Sequence, residues 1–173
     1  MSDILPHRNS YRVTPNLIAG EYPGSGDRAA ARARVERHLD AGITYFLDLT
    51  EEGELMPYVD LLEQATKARQ IVATHHRMPI RDVSVPRSPG AMIAILDALD
   101  AAIAASHTVY VHCWGGIGRT GTVVGCWLVR HGQSGDEALA RIAHHWQGVE
   151  KSWRRPRSPE TDEQHAYVRA WRE

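Results

Sequence analysis

Apolar positions in this chain come in short runs that switch between two periods. Asn16-Leu17-Ile18-Ala19-Gly20 reads as a strand. After the break from Pro23 to Gly26, the stretch from Asp27 to Leu39 reads as a helix with Val35 and Leu39 facing inward, stopped by Gly42. Ile43 to Leu49 has the β-branched and aromatic content of a buried strand, and Tyr58 to Gln70 repeats Leu61, Leu62, Ala65 and Ala68 at helical spacing. Ile71 to His75 predicts another strand. Ser88-Pro89 opens a helix whose Met92, Ile95, Leu96, Leu99 and Ile103 share one face. The run Thr108 to Val111 is a strand, Thr122 to Val129 an apolar helix capped by Gly132, and two further helices are predicted over Asp136 to Gln147 and Pro159 to Trp171. Strands that alternate with helices predict an α/β fold: a central, mostly parallel sheet with helices on both faces and ligands met at the carboxyl ends of the strands. The 173 residues, 43% of them hydrophobic, suit a single compact domain over residues 1–173.

Between the strand ending near Val111 and the helix beginning near Gly118 lie ten residues, His112-Cys113-Trp114-Gly115-Gly116-Ile117-Gly118-Arg119-Thr120-Gly121. Gly115, Gly116 and Gly118 remove the steric bar to positive φ, so the chain can curl with successive N–H groups pointing to one centre, as an anion-binding nest. The helix adds its positive end to the same point. Trp114, Gly115, Gly116, Ile117, Gly118 and Arg119 are therefore candidate phosphate-binding residues. A cysteine titrates near ~8.5 when free and at roughly 3.5–7.5 in such surroundings, which makes Cys113 a candidate nucleophile. Arg119 supplies a planar fork for two phosphate oxygens, which lysine would not reproduce. The hydroxyl of Thr120 is placed to donate to the sulfur when it leaves, or else to bond the backbone of its own helix.

The segment resembles the signature loop of the cysteine-dependent protein tyrosine and dual-specificity phosphatases, whose pattern is His-Cys, five residues, Arg, then Ser or Thr. His112, Cys113, Gly116, Gly118, Arg119 and Thr120 match it position by position. The resemblance extends over roughly Asn16 to Trp171 and implies the compact α/β sandwich of that family. A phosphomonoester leaving group must also collect a proton. From Ile71 to Leu96 the sole acidic residue is Asp82, in Met78-Pro79-Ile80-Arg81-Asp82-Val83-Ser84-Val85-Pro86, and residues 78–89 look like the family's general-acid loop. The run from His75 to Asp82 is closest to the cyclin-dependent-kinase-inhibitor-type branch. The Trp-Pro-Asp triplet of the larger tyrosine phosphatases is missing, so no large hinge closure of that loop is implied. Ser158 to Gln164 resembles the segment that brings a water-orienting glutamine to the centre, which points to Gln164; Ser158 and Pro159 read equally as helix N-cap and first-turn residue. His112 is assigned a supporting part, orienting the loop by hydrogen bonds to its backbone.

Twenty basic and twenty-one acidic residues leave a net charge of −1, which argues against a nucleic-acid or membrane partner. The first residues lack a basic-then-apolar signal pattern, and no apolar stretch approaches a membrane span, so a cytoplasmic and monomeric protein is expected. Of two cysteines, Cys126 lies within an apolar run and reads as core; no disulfide framework is implied. Ten histidines include the pairs His75-His76 and His144-His145, but neighbours on a strand or helix diverge and make no chelate, so no metal and no cofactor is expected. Lys151, Arg154, Arg155 and Arg157 form a basic run suited either to the anionic flank of a phosphorylated peptide or to a solvated loop. Glu54, Tyr58, Trp114 and Ile117 are candidates for the rim or wall of the cleft. The expected activity is metal-independent hydrolysis of phosphomonoesters on a phosphorylated protein or peptide, through a cysteinyl-phosphate. A non-protein phosphate such as an RNA 5′ end, a sulfur-transfer or arsenate-reducing chemistry on a similar loop, and a non-catalytic phosphopeptide-binding module are the alternatives.

Overall fold

The computed structural model describes residues 4–173; Met1 to Asp3, which the single-domain reading includes, lie outside the described residues. Five strands form one sheet in the order β1 (Ser10–Thr14), β2 (Leu17–Gly20), β5 (Val109–His112), β3 (Tyr45–Asp48), β4 (Thr74–Arg77). β2, β5, β3 and β4 run parallel, and β1 pairs antiparallel with β2 at the edge. The predicted α/β fold is therefore present as a mixed sheet with four of its five strands parallel.

Alternation of side chains across the sheet sorts the core into two layers. Ile18, Phe46 and Tyr110 face α1 (Arg28–Asp40) and α2 (Val59–Arg69), meeting Val35, Leu39, Leu61 and Leu62. Leu17, Ala19, Leu47, Val109 and Val111 face the other way, onto α3 (Pro89–Ala104), α4 (Gly118–Arg130), α5 (Gly135–Gln147) and α6 (Asp162–Ala170). Strand β5 is buried on both faces, and the chain leaves its carboxyl end directly into the signature loop. Helix starts follow capping chemistry: the side chains of Asp27, Ser88 and Ser134 accept from the backbone N–H three residues on.

Two elements start later than the sequence reading has them, and one strand is additional to it. The strand expected at Ile71 to His75 is β4 at Thr74–Arg77, because Gln70 ends α2 in the left-handed region and Ile71 N–H returns to Thr66 O, so residues 71–73 are spent on the turn. β1 escaped prediction as a short edge strand in which Arg12 and Thr14 alternate with the buried Tyr11 and Val13. The last helix starts at Asp162 rather than Pro159. Thr161, not Ser158, is its N-cap, in a capping box with Gln164, and the Ser158–Pro159 peptide is cis.

Candidate active site

The signature loop is held by its carbonyl groups. Cys113 O accepts from His112 Nδ1 (3.2 Å), Trp114 O from Tyr22 N (2.9 Å), Gly115 O from Lys151 Nζ (2.8 Å), and Ile117 O from both Ser158 Oγ (2.8 Å) and Gly121 N (3.1 Å). A trans peptide is planar with C=O and N–H opposed, so each carbonyl fixed to the surrounding protein turns the following N–H the other way. The affected amides belong to Trp114, Gly115, Gly116 and Gly118. None of the backbone N–H groups of residues 114–119 donates to an acceptor among the described residues. Amides left unpaired beside the start of α4 are free to receive an anion.

Among the three loop glycines only Gly116 has positive φ, at 69°, so the expectation that all three serve this purpose is corrected. A Cβ on Gly116 would also lie 2.3 Å from Gly20 C, pressing into the end of β2. Gly118 is needed for space instead: a Cβ there would meet the Gln164 amide at 2.9 Å.

A buried hydrogen-bonded chain lies beneath the loop. His112 Nδ1 donates to Cys113 O, so its Nε2 is the acceptor for the Tyr58 hydroxyl at 2.7 Å. Burial holds the His112 imidazole at about 4, so it is neutral near pH 7. Asp48, fully buried at the end of β3, takes hydrogen bonds from His75 Nε2 (2.9 Å), Arg77 (3.1 Å) and both the amide and hydroxyl of Thr50. Burial pushes its carboxyl up, but the His75 and Thr50 hydrogen bonds outweigh this and hold it below the usual carboxylate range. Tyr58 is thus a buried support of His112 and not a rim residue; the correction follows from its hydroxyl, which needs a partner once enclosed. His76, on the opposite face from His75, bonds Tyr45.

Arg119 is 1% exposed and bound along one edge: Nη1 and Nη2 donate to the two carboxylate oxygens of Glu54 at 2.8 and 2.6 Å, and Nη1 also meets Ile80 O at 3.1 Å. Burial opposes the charge, but Glu54 holds the guanidinium above its ordinary value. Its Nε is buried without a hydrogen-bond partner, so the edge formed by Nε and Nη2 is the one that Glu54 leaves unused. Glu54 therefore grips the signature-loop arginine, a position that sequence reading placed only on the rim. Asp82 Oδ1 lies 3.0 Å from Arg119 Nη2 and accepts from Val83 N at 2.9 Å, which brings the expected acid to the loop. Thr120 Oγ1 is buried with no hydrogen-bond partner, whereas the neighbouring Thr122 hydroxyl bonds Gly118 O in the way open to a helical threonine.

Gln164 is fully buried against Gly118. Its Oε1 accepts from the amides of Glu160 and Thr161, both at 3.1 Å, and its Nε2 donates to Ser84 O at 3.0 Å, tying α6 to the Asp82 loop. Cys113, 3% exposed, lies at the floor of a cleft of about 360 Å³ lined also by Asp82, Val83, Trp114, Ile117, Arg119 and Arg155. Trp114 and Val83 are exposed large apolar side chains on that lining, and Ile117 is a buried part of its wall. Of the basic run, Lys151 and Arg155 line the cleft; Arg154 lies over the Trp153 ring and Arg157 pairs with Asp162, so the run does not act as one patch. Among the described residues no helix is long and apolar enough to cross a membrane, and no group of three or more His, Cys, Asp or Glu is placed to hold a metal ion.

The family model Tc-R-P, described as "Polymorphic toxin system, DSP-PTPase phosphatase", matches residues 24–133. The chain is 29% identical over 122 residues to "Putative tyrosine phosphatase 067L" of Invertebrate iridescent virus 3, an alignment covering 69% of this chain and 45% of that protein. The chain thus spans about half the length of this curated relative. Among solved structures, the active form of Tk-PTP superposes with a TM-score of 0.69 at 24% identity, over 92% of this chain and 93% of that one. Kinase associated phosphatase, with serine in place of its catalytic-site cysteine, gives 0.70 at 21% identity, over 88% and 83%. Both share the fold.

Proposed function

Because the chain belongs to the DSP-PTPase phosphatase family of polymorphic toxin systems, we propose that it hydrolyses phosphomonoesters in two steps without a metal ion. The observation that carries this reading is the set of unpaired amides in the loop that follows Cys113, together with the unpartnered Nε of Arg119. The amides of Trp114 to Arg119 and the Arg119 fork bind the three non-bridging oxygens. Sγ of Cys113 attacks phosphorus as the bond to the leaving oxygen breaks, and that oxygen takes the proton of Asp82. In the second step Asp82 removes a proton from water, the hydroxide attacks phosphorus, and the P–S bond breaks. The unpartnered hydroxyl of Thr120 supports the departing sulfur, and the amide proton that Gln164 has left after bonding Ser84 is the one available to place the water. His112 keeps the Cys113 carbonyl turned out of the cradle.

The proposed substrate is a phosphorylated protein or peptide. The signature loop brings no lysine of its own to the phosphate, and the Trp114, Val83 and Ile117 lining favours an aryl stem, so phosphotyrosine fits best. The test is hydrolysis of p-nitrophenyl phosphate in excess EDTA, abolished by vanadate and by iodoacetate, followed by phosphotyrosine, phosphoserine and phosphothreonine peptides of one sequence. Turnover that requires an added metal ion, or is absent throughout, overturns the reading.

Glu54 acts through Arg119. Glu54→Gln removes the charge that holds the fork and is expected to lower kcat/KM roughly tenfold, the scale of one charge-assisted hydrogen bond at ~1.5 kcal/mol. Steady-state kinetics with p-nitrophenyl phosphate check this, and an unchanged kcat/KM removes Glu54 from the site.

A further inference from the structure

Lys151 lies in the short 3-10 helix Glu150–Trp153, outside the signature motif, yet its ammonium reaches Gly115 O at 2.8 Å. It is anchored on its far side by Glu21 Oε2 at 2.6 Å, with both side chains about four-fifths buried. Burial pushes the Glu21 carboxyl up, but the hydrogen bond and charge of Lys151 overcome this and hold it below the usual range. The pair is itself fixed. Asn9 Oδ1 accepts from Lys151 N at 3.1 Å, Asn9 Nδ2 donates to Glu21 Oε1 at 3.4 Å, and Glu21 N donates to Asn9 O at 3.3 Å. Gly116 presses on the same point from the other direction, since its Cβ position lies 2.6 Å from Glu21 N.

The other fixed loop carbonyls are held by the residue's own neighbour, by the backbone of the chain leaving β2, or by helix α4 together with Ser158. Gly115 O is held by a side chain from a distant element, 36 residues on, with no backbone donor beside it. It also belongs to the Gly115–Gly116 peptide, where both flanking residues lack a Cβ and rotation of the peptide plane meets the least steric resistance in the loop. A peptide turned over there would point Gly116 N–H away from the anion and Gly115 O toward it, replacing attraction by repulsion.

We propose that Lys151 is a positioning residue for the phosphate cradle: by holding the Gly115 carbonyl it aims the Gly116 N–H at the phosphoryl oxygens, and Glu21 keeps the lysine there. This rests on the phosphatase reading above. Two mechanisms are separable by sign. If Lys151 acted only as a nearby positive charge, Glu21→Gln would raise the local positive charge and tighten anion binding. If it acts by orienting the peptide, Glu21→Gln frees the lysine and weakens binding.

The experiment measures kcat and KM for p-nitrophenyl phosphate, the inhibition constant of vanadate, and binding of inorganic phosphate by calorimetry, for the full chain and for Lys151→Met, Lys151→Arg and Glu21→Gln. Lys151→Met is expected to weaken vanadate and lower kcat/KM by roughly tenfold, less than the ~10²–10³-fold in kcat for outright loss of an oxyanion donor. Glu21→Gln is expected to shift both in the same direction by less, and Lys151→Arg to recover most of the loss. Tighter vanadate binding by Glu21→Gln, or unchanged kcat/KM in Lys151→Met, overturns the proposal. If the lysine serves folding alone, the melting temperature falls while kcat and KM of the folded fraction stay put, and that result overturns it as well. Calorimetric phosphate binding needs no turnover, so failure of the hydrolase reading in the parent protein stays distinguishable from failure of the Lys151 role.

Discussion

Cys113→Ser is expected to remove phosphate ester hydrolysis, with a loss on the order of 10⁴-fold or more, as for nucleophiles that act as one unit with their surroundings. A serine hydroxyl in the same place is not ionised near neutral pH, so the attacking electron pair is lost while the shape of the site is kept. Binding of inorganic phosphate should survive. The loop carbonyls are held by Tyr22, Lys151 and Ser158, and the sulfur holds none of them. A neutral hydroxyl on the cradle floor also presents no charge to repel an anion. The measurement pairs p-nitrophenyl phosphate turnover with calorimetric phosphate binding and a thermal melt. Turnover comparable to the parent would place the nucleophile elsewhere, and lost phosphate binding with an intact fold would mean that the amides do not form the anion site. Cys126 makes a useful control, because it is fully buried and its burial raises the thiol; alkylation at Cys113 without alkylation at Cys126 is the matching chemical result.

Such a variant could be designed from the sequence alone, since the motif is contiguous there, although only Gly116 among its three glycines needs the positive φ expected of all of them. The glycines, the cysteine and the arginine lie within ten consecutive residues, and the strand and helix beside them obey simple periodicities. Hidden from a linear reading is which partner each distant side chain reaches, since Glu54 and Tyr58 read only as rim or wall and Lys151 only as part of a basic run. Glu54, Asp48, Tyr58 and Lys151 stand 36 to 65 residues from their partners in the loop and its flanks, and each is an ordinary polar residue in its own stretch. A partial signal existed: Asp48 ends a strand otherwise apolar, and a carboxylate at the carboxyl end of a central strand is where α/β folds collect functional groups. The β4 boundary went wrong for a related reason. Ile71 and Val72 look like strand core, yet both are exposed, and the strand is carried by Thr74, His75, His76 and Arg77, three of whose side chains find partners in Asp48 and Tyr45. Apolar periodicity cannot register a strand whose partners are polar. At α6 two serine-or-threonine caps competed, and the one followed three residues later by glutamine won.

Asp82→Asn is expected to depress kcat by ~10²–10⁴-fold on substrates with a poor leaving group, the range of general acid–base catalysis. Its location supports this: the side chain is half exposed in the cleft, 3.0 Å from Arg119 Nη2, on a loop tethered at Ser84 by Gln164. An amide cannot donate a proton outright, so the loss should scale with how much the leaving oxygen needs one. Phosphotyrosine and phenyl phosphate should lose most, and p-nitrophenyl phosphate, whose phenolate is stabilised by the nitro group, should lose least. Binding should move the other way. The Asp82 carboxylate lies 3.0 Å from the guanidinium proposed to take the phosphate, and replacing it with a neutral amide removes competition for the Nε and Nη2 edge; KM and the phosphate dissociation constant should stay level or fall. Varying the leaving group in the parent and in Asp82→Asn gives two slopes of log kcat/KM against leaving-group acidity, and the variant's should be the steeper. Parallel slopes would mean that the proton comes from another group, and an increase in KM without loss of kcat would leave Asp82 as a binding residue only. A steep slope with unimpaired phosphate binding would give the two carboxylates that touch Arg119 different roles. Glu54, bound to both terminal nitrogens, would set the fork's direction, and Asp82, touching it from the solvent side, would handle the proton.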